Sequence, residues 1–112
     1  MGGTAEVRVA DALAARGYRV VGRNVEVGRL GELDLVVRNA RELVVVEVRS
    51  RRGGDADDPA DSIGPGKRMR VRRTAAAWLE DRPIDYEEVR LFVGIVHWKG
   101  RDAEVTIVED AF

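Results

Sequence analysis

With 112 residues the chain has room for one domain, which excludes a two-domain enzyme. Its 19 basic and 20 acidic residues leave a net charge of −1, and 45% hydrophobic with 35% charged residues is a globular composition rather than a disordered one. The absence of cysteine excludes a disulfide framework and a thiolate metal site. No apolar run approaches the roughly 18 residues of a membrane span, and Met1-Gly2-Gly3-Thr4 lacks a signal-peptide pattern, so the expectation is a single cytoplasmic domain over 1–112.

Residues 5–16 read as an amphipathic helix, with Glu6, Ala10, Leu13 and Gly17 on one stripe, Thr4 as N-cap and Gly17 as the residue that ends it. Tyr18 begins an irregular strand that reaches Gly28. Gly31–Arg38 alternates as a second strand, Asn39-Ala40-Arg41 turns, and Glu42–Arg51 returns as a third, making a hairpin. Residues of about 52–66, rich in Gly, Asp and Pro, read as a mobile loop. A second helix over 67–81 carries Val71, Ala75, Trp78 and Leu79 on its buried stripe and stops before Pro83. Residues 89–98 and 103–108 are strands, the last at an edge. The order α-β-β-β-α-β-β predicts an α/β domain with a mixed sheet.

Several charges stand where packing alone would not put them. Leu43-Val44-Val45-Val46-Glu47-Val48-Arg49 has the apolar run of a strand buried on both faces, so Glu47 needs a cation or metal partner to offset its desolvation. Strand periodicity turns Glu47 and Arg49 the same way, about 6.6 Å apart along the strand. It also puts Glu32, Asp34, Val36 and Arg38 on one face of the preceding strand. A turn at Asn39-Ala40 brings Asp34 opposite a residue between Val45 and Glu47, and facing carboxylates about 5 Å apart at Cβ repel unless a cation lies between them. Oxygen donors without cysteine point to Mg²⁺ or Mn²⁺. A solvated Asp34 with a Glu47–Arg49 or Glu47–Arg51 ion pair is the structural alternative. Glu6, in a first helical turn, is favoured there by the helix dipole whatever its function.

Residues 67–73 carry five cations, Lys67, Arg68, Arg70, Arg72 and Arg73, at the helix end that disfavours positive charge. A phosphate backbone would favour them, and a solvated face in an Arg-rich chain is the alternative. Asp55, Asp57, Asp58 and Asp61 argue mildly against strong nonspecific DNA binding. Met69, Trp78 and Trp98 read as core or dimer contacts, and His97 as structural.

Taken together, Glu6, Gly17-Tyr18-Arg19-Val20, Asn24, Gly31-Glu32-Leu33-Asp34-Leu35, Val46-Glu47-Val48-Arg49-Ser50-Arg51, Lys67 and Glu109-Asp110-Ala111-Phe112 resemble the YraN-like uncharacterised family. That family is similar to archaeal Holliday junction resolvases and belongs to the PD-(D/E)XK nuclease superfamily. The resemblance spans essentially the whole chain. It implies a restriction-endonuclease-like core and Mg²⁺- or Mn²⁺-dependent hydrolysis of phosphodiester bonds in branched or structured DNA. It makes Asp34 and Glu47 metal ligands with the Val48 carbonyl, Glu6 a helix-borne acid of the catalytic set, and Glu32 and Arg51 supporting residues. Lys67, Arg70 and Arg73 would hold the DNA backbone, and a homodimer would suit a two-fold substrate. Two positions depart from the family pattern. Arg49 stands at the motif lysine, and Arg90-Leu91-Phe92-Val93 replaces an R-F-D-V pattern that carries an acid. The alternative is a catalytically reduced or inactive nucleic-acid-binding protein on the same fold.

Overall fold

A computed structural model describes residues 3–52 and 64–110. Helix α1 (Gly3–Ala14) precedes strands β1 (Arg19–Val27), β2 (Gly31–Arg38) and β3 (Glu42–Arg52), then helix α2 (Pro65–Leu79) and strands β4 (Glu88–Lys99) and β5 (Asp102–Val108). The strands form one sheet in sequential order. β3 and β4 are parallel and the other neighbours antiparallel, which gives the expected mixed sheet. A parallel pair cannot be joined by a tight turn, so α2 lies in the crossover.

β3 is the central strand, and Leu43–Val46 are buried on both faces as their unbroken apolar run demands. Leu43 and Val45 face α2, packing with Leu33, Val36, Val71 and Trp78. Val44 and Val46 face α1, packing with Val9, Leu13, Phe92 and Val96. Against that second face α1 comes close: a Cβ at Gly94 would lie 2.6 Å from Val9 Cγ1, so the helix rests on the bare backbone of β4.

Local signals place most element ends. Gly17 has φ +93°, and Tyr18 N–H and Gly17 N–H donate to the Leu13 and Ala14 carbonyls, closing α1 in a Schellman motif. Thr4 lies within α1 rather than capping it. α2 starts two residues earlier than its charge pattern predicts because Pro65 is preorganised for a first helical turn. It ends at Leu79, and its buried stripe includes Thr74, whose hydroxyl donates to the Arg70 carbonyl at 2.8 Å. Met69 is 62% exposed, so it is no core residue, whereas Trp78 is buried and Trp98 half-buried. Most of the predicted mobile loop, with its four aspartates, lies outside the described residues.

One expectation about side-chain direction is overturned. Leu33 shares the α2 face with Val36, while Leu35 and Val37 share the α1 face, so β2 does not alternate regularly through Asp34. β1 slips in step. Arg23 pairs with Leu35 and Val25 with Leu33, but Asn24 and Asp34 between them are unpaired, and Asn24 has φ +46°. Asn tolerates the left-handed region better than most residues, and one such residue re-aims the strand. Asp34 therefore does not share a simple face with Val36.

Candidate active site at the fork between β2 and β3

The β2–β3 ladder runs from Arg38↔Leu43 to Leu35↔Val46 and stops. β2 continues to Gly31 against β1, and β3 continues to Arg52 against β4, so the two strands part. Asp34 and Glu47 are the first residues past the parting, which is the neighbourhood the hairpin register predicts. Asp34 turns into the opening: its Oδ2 accepts the Val48 N–H at 2.9 Å, replacing a lost ladder bond. Since a strand residue directs its N–H and C=O to the same side, the Val48 carbonyl faces the same opening.

Glu47 is largely enclosed, its side chain 14% exposed. Its partner comes from α2, with Lys67 Nζ 2.5 Å from Oε1. Arg49 Nη2 approaches the same oxygen at 4.0 Å, and Arg49 Nε is buried without a hydrogen-bond partner. The expected ion pair along the strand is thus the longer contact. Lys67, expected to reach outward to a phosphate backbone, is turned into the site.

Asp34 is pushed up to about 6, first by burial, against the pull of the Val48 N–H; the Glu47 charge and a hydrogen bond with Glu47 raise it further, and Glu6 adds the smallest of these effects. The fork opens into a hollow of about 250 Å³ whose walls include Glu32, Lys67, Arg70 and Thr74. Glu6 lines a separate hollow with Val48, Ser50 and Trp98, so it reaches the pair only through space. Glu32 is exposed at the rim, and Arg51 is half-buried two residues beyond Arg49. Arg70 and Arg73 are exposed on α2, and among the described residues no carboxylate pairs with Arg68, Arg70, Arg72 or Arg73.

Among the described residues no three His, Cys, Asp or Glu side chains converge as a metal cage. The donors at the fork are two carboxylates and a main-chain carbonyl. That set fits Mg²⁺, which binds through one or two carboxylates and keeps several waters, and it does not suit zinc.

The sequence reading missed a second polar cluster at the opposite end of β3. Arg90 donates to Glu42 and Glu109 at 2.7 Å each, and to Asp110 at 2.7 and 3.0 Å, with its guanidinium 4.8 Å from the centre of the Phe92 ring. Asn39 and Tyr18 complete the set around Glu42. These contacts hold Glu42 below the usual carboxylate range, chiefly through Arg90 and Asn39. A larger hollow of about 570 Å³ lies beside this cluster, lined by Asn39, Arg41, Glu42 and Glu87, but Glu42 is already satisfied there. The position of the acid in the R-F-D-V pattern is taken by Phe92, which is fully buried and edge-on to Tyr18.

The pattern of the uncharacterised protein family UPF0102 matches residues 5–105. A UPF0102 protein of Streptomyces coelicolor is 41% identical over 71% of this chain, and the match spans 62% of that protein's length. Others from Syntrophus aciditrophicus and Moorella thermoacetica are 32% and 38% identical over 96% and 93% of this chain, covering 84% and 85% of their own lengths. Among solved structures, Pyrococcus furiosus SfsA in complex with Ca²⁺ is similar over 96% of this chain and 62% of its own, with 13% identity and a TM-score of 0.39. The family pattern over residues 5–105 and these sequence relatives agree with the YraN-like motifs: the chain belongs to the uncharacterised protein family UPF0102.

Proposed function

We propose that this protein is a metal-dependent endonuclease that hydrolyses phosphodiester bonds in branched or structured DNA. The observation that carries the reading is the pairing of Asp34 and Glu47 at a fork in the sheet, with the Val48 carbonyl facing the same opening. The α-β-β-β-α-β-β mixed sheet suits a restriction-endonuclease-like core.

Asp34 and Glu47, with the Val48 carbonyl, would hold Mg²⁺ or Mn²⁺. Such an ion supplies Lewis acidity, making bound water a nucleophile near neutral pH and offsetting charge that develops on phosphate. The Val48 N–H fixes the direction of the Asp34 carboxylate. Arg49 remains beside Glu47 as a cation that cannot readily give up a proton. Arg70 lines the hollow and Arg73 lies exposed one turn further along α2, both without a carboxylate partner among the described residues, so a backbone phosphate can pair with them. Glu32 stands at the rim of the hollow, Arg51 follows further along β3, and Glu6 adds negative charge from α1. A homodimer would present two such sites to a two-fold junction. No helix among the described residues is long and apolar enough to cross a membrane.

A second reading, a nucleic-acid binder without catalysis, is favoured by one feature: Arg49 in place of the family's lysine. Cleavage of a four-way DNA junction in Mg²⁺ separates the two. The nuclease reading expects cutting by the native chain and none by Glu47→Gln, with junction affinity retained in both. Binding without cutting in the native chain selects the second reading.

A further inference from the structure

Lysine is rare here: 17 of the 19 basic residues are Arg, and the only lysines are Lys67 and Lys99. Lys99 pairs with Glu104 on an exposed surface. Lys67 occupies the first turn of α2, where the unsatisfied N–H groups of the helix disfavour a cation and no side chain caps them. It is nevertheless two-thirds enclosed and in contact with the largely enclosed Glu47 of the fork. Arg49 lies farther from the same Oε1, and its buried Nε makes no hydrogen bond. The guanidinium is held by packing, whereas the ammonium makes the short contact.

An ammonium seated on Glu47 Oε1 denies that oxygen to another cation. Resting on the nuclease reading above, we propose that Lys67, rather than Arg49, is the working cation of the fork: it holds Glu47 in the metal-free protein, competes there with a divalent cation, and once displaced turns to the phosphate of the substrate. A divalent cation at Asp34 and Glu47 would offset both negative charges, leaving Lys67 beside a like charge and without its partner. Arg70, one turn along α2, lines the same hollow, so the released ammonium meets a phosphate that Arg70 already attracts. Lysine suits this exchange better than arginine, because a compact charge on a flexible four-carbon stem can leave one oxygen for another, whereas a planar fork is committed to its geometry. Metal and DNA backbone then favour each other's binding through Lys67, and the coupling is reciprocal.

The test titrates Mn²⁺ calorimetrically into the native protein, Lys67→Gln and Arg49→Gln without DNA, then measures junction binding and cleavage by the same proteins. Lys67→Gln should bind Mn²⁺ at least about tenfold more tightly than the native chain, since it loses a competing charge-assisted hydrogen bond. It should also cut at least about tenfold more slowly, a phosphate contact having been lost. Arg49→Gln should change Mn²⁺ affinity less than Lys67→Gln does. Unchanged or weaker Mn²⁺ binding by Lys67→Gln, in a native protein that does bind Mn²⁺, overturns this proposal and leaves the nuclease reading standing. A native chain that neither binds Mn²⁺ nor cuts overturns both. Should Lys67→Gln fail to fold, Lys67→Arg keeps the charge and carries the test: slowed cutting with junction affinity retained supports the proposal, and full cutting overturns it.

Discussion

Replacing Asp34 with Asn should make the metal-free protein more stable. Asp34 titrates at about 6 in the folded chain, against 3.8 for a free aspartate, because burial and the neighbouring Glu47 both penalise its charge. Ionising such a group costs the fold roughly 3 kcal/mol at neutral pH. The side chain is only half-buried, and solvent screening reduces this to about 1.5 kcal/mol. The sign follows from the raised value: Asp34 costs nothing below its unfolded value near 3.8, and its penalty grows as pH rises and is complete above about 6. An Asn side chain removes the charge and keeps an oxygen for the Val48 N–H. Melting in EDTA from pH 4 to pH 8 should therefore show Asp34→Asn coinciding with the native protein at the acid end and exceeding it by about 6 °C above pH 7. With Mg²⁺ the gap should narrow or reverse, since the metal stabilises only the chain that can bind it. A variant that is less stable at pH 7.5, or a gap that persists at pH 4, would refute the account of the paired carboxylates.

Reversing Arg70 and Arg73 to Glu should weaken DNA binding equally for all sequences and flatten its dependence on salt by about one released counterion per lost phosphate contact, as read from binding isotherms between low and physiological salt. Gly94→Ala should destabilise the chain by about 1–3 kcal/mol in urea, because its Cβ would press on Val9, and Val9→Ala in the same chain should recover part of the loss. Asn24→Val should cost about 1–2 kcal/mol in the same assay, whereas Asn24→Gly, at ease at positive φ, should come within a few tenths of native.

What the sequence makes legible rests on short-range periodicity. The apolar run of Leu43–Val46 marks β3 as a strand buried on both faces, and the hairpin turn alone brings Asp34 to Glu47. Gly17 closes α1 where its φ above zero is needed. The failures lie where partners meet through the crossover. Lys67 and Glu47 are 20 positions apart, and Arg49, only two positions from Glu47, is the more natural partner on any local count. Arg90 joins residues 48, 19 and 20 positions away, each of which resembles an ordinary solvated charge at a strand end. Strict alternation also misplaces the face of Asp34, because β2 is irregular there, opposite Asn24 with its positive φ on the neighbouring strand. For α2 the sequence contains the charge but not its direction. The helix is seated by Val71, Thr74, Ala75 and Trp78, and that seating turns Lys67 towards the sheet while Arg68, Arg72 and Arg73 stay in solvent. A run of five cations thus divides into one that pairs with a carboxylate and four left in solvent, and only the packing of α2 over β1 and β2 makes that division.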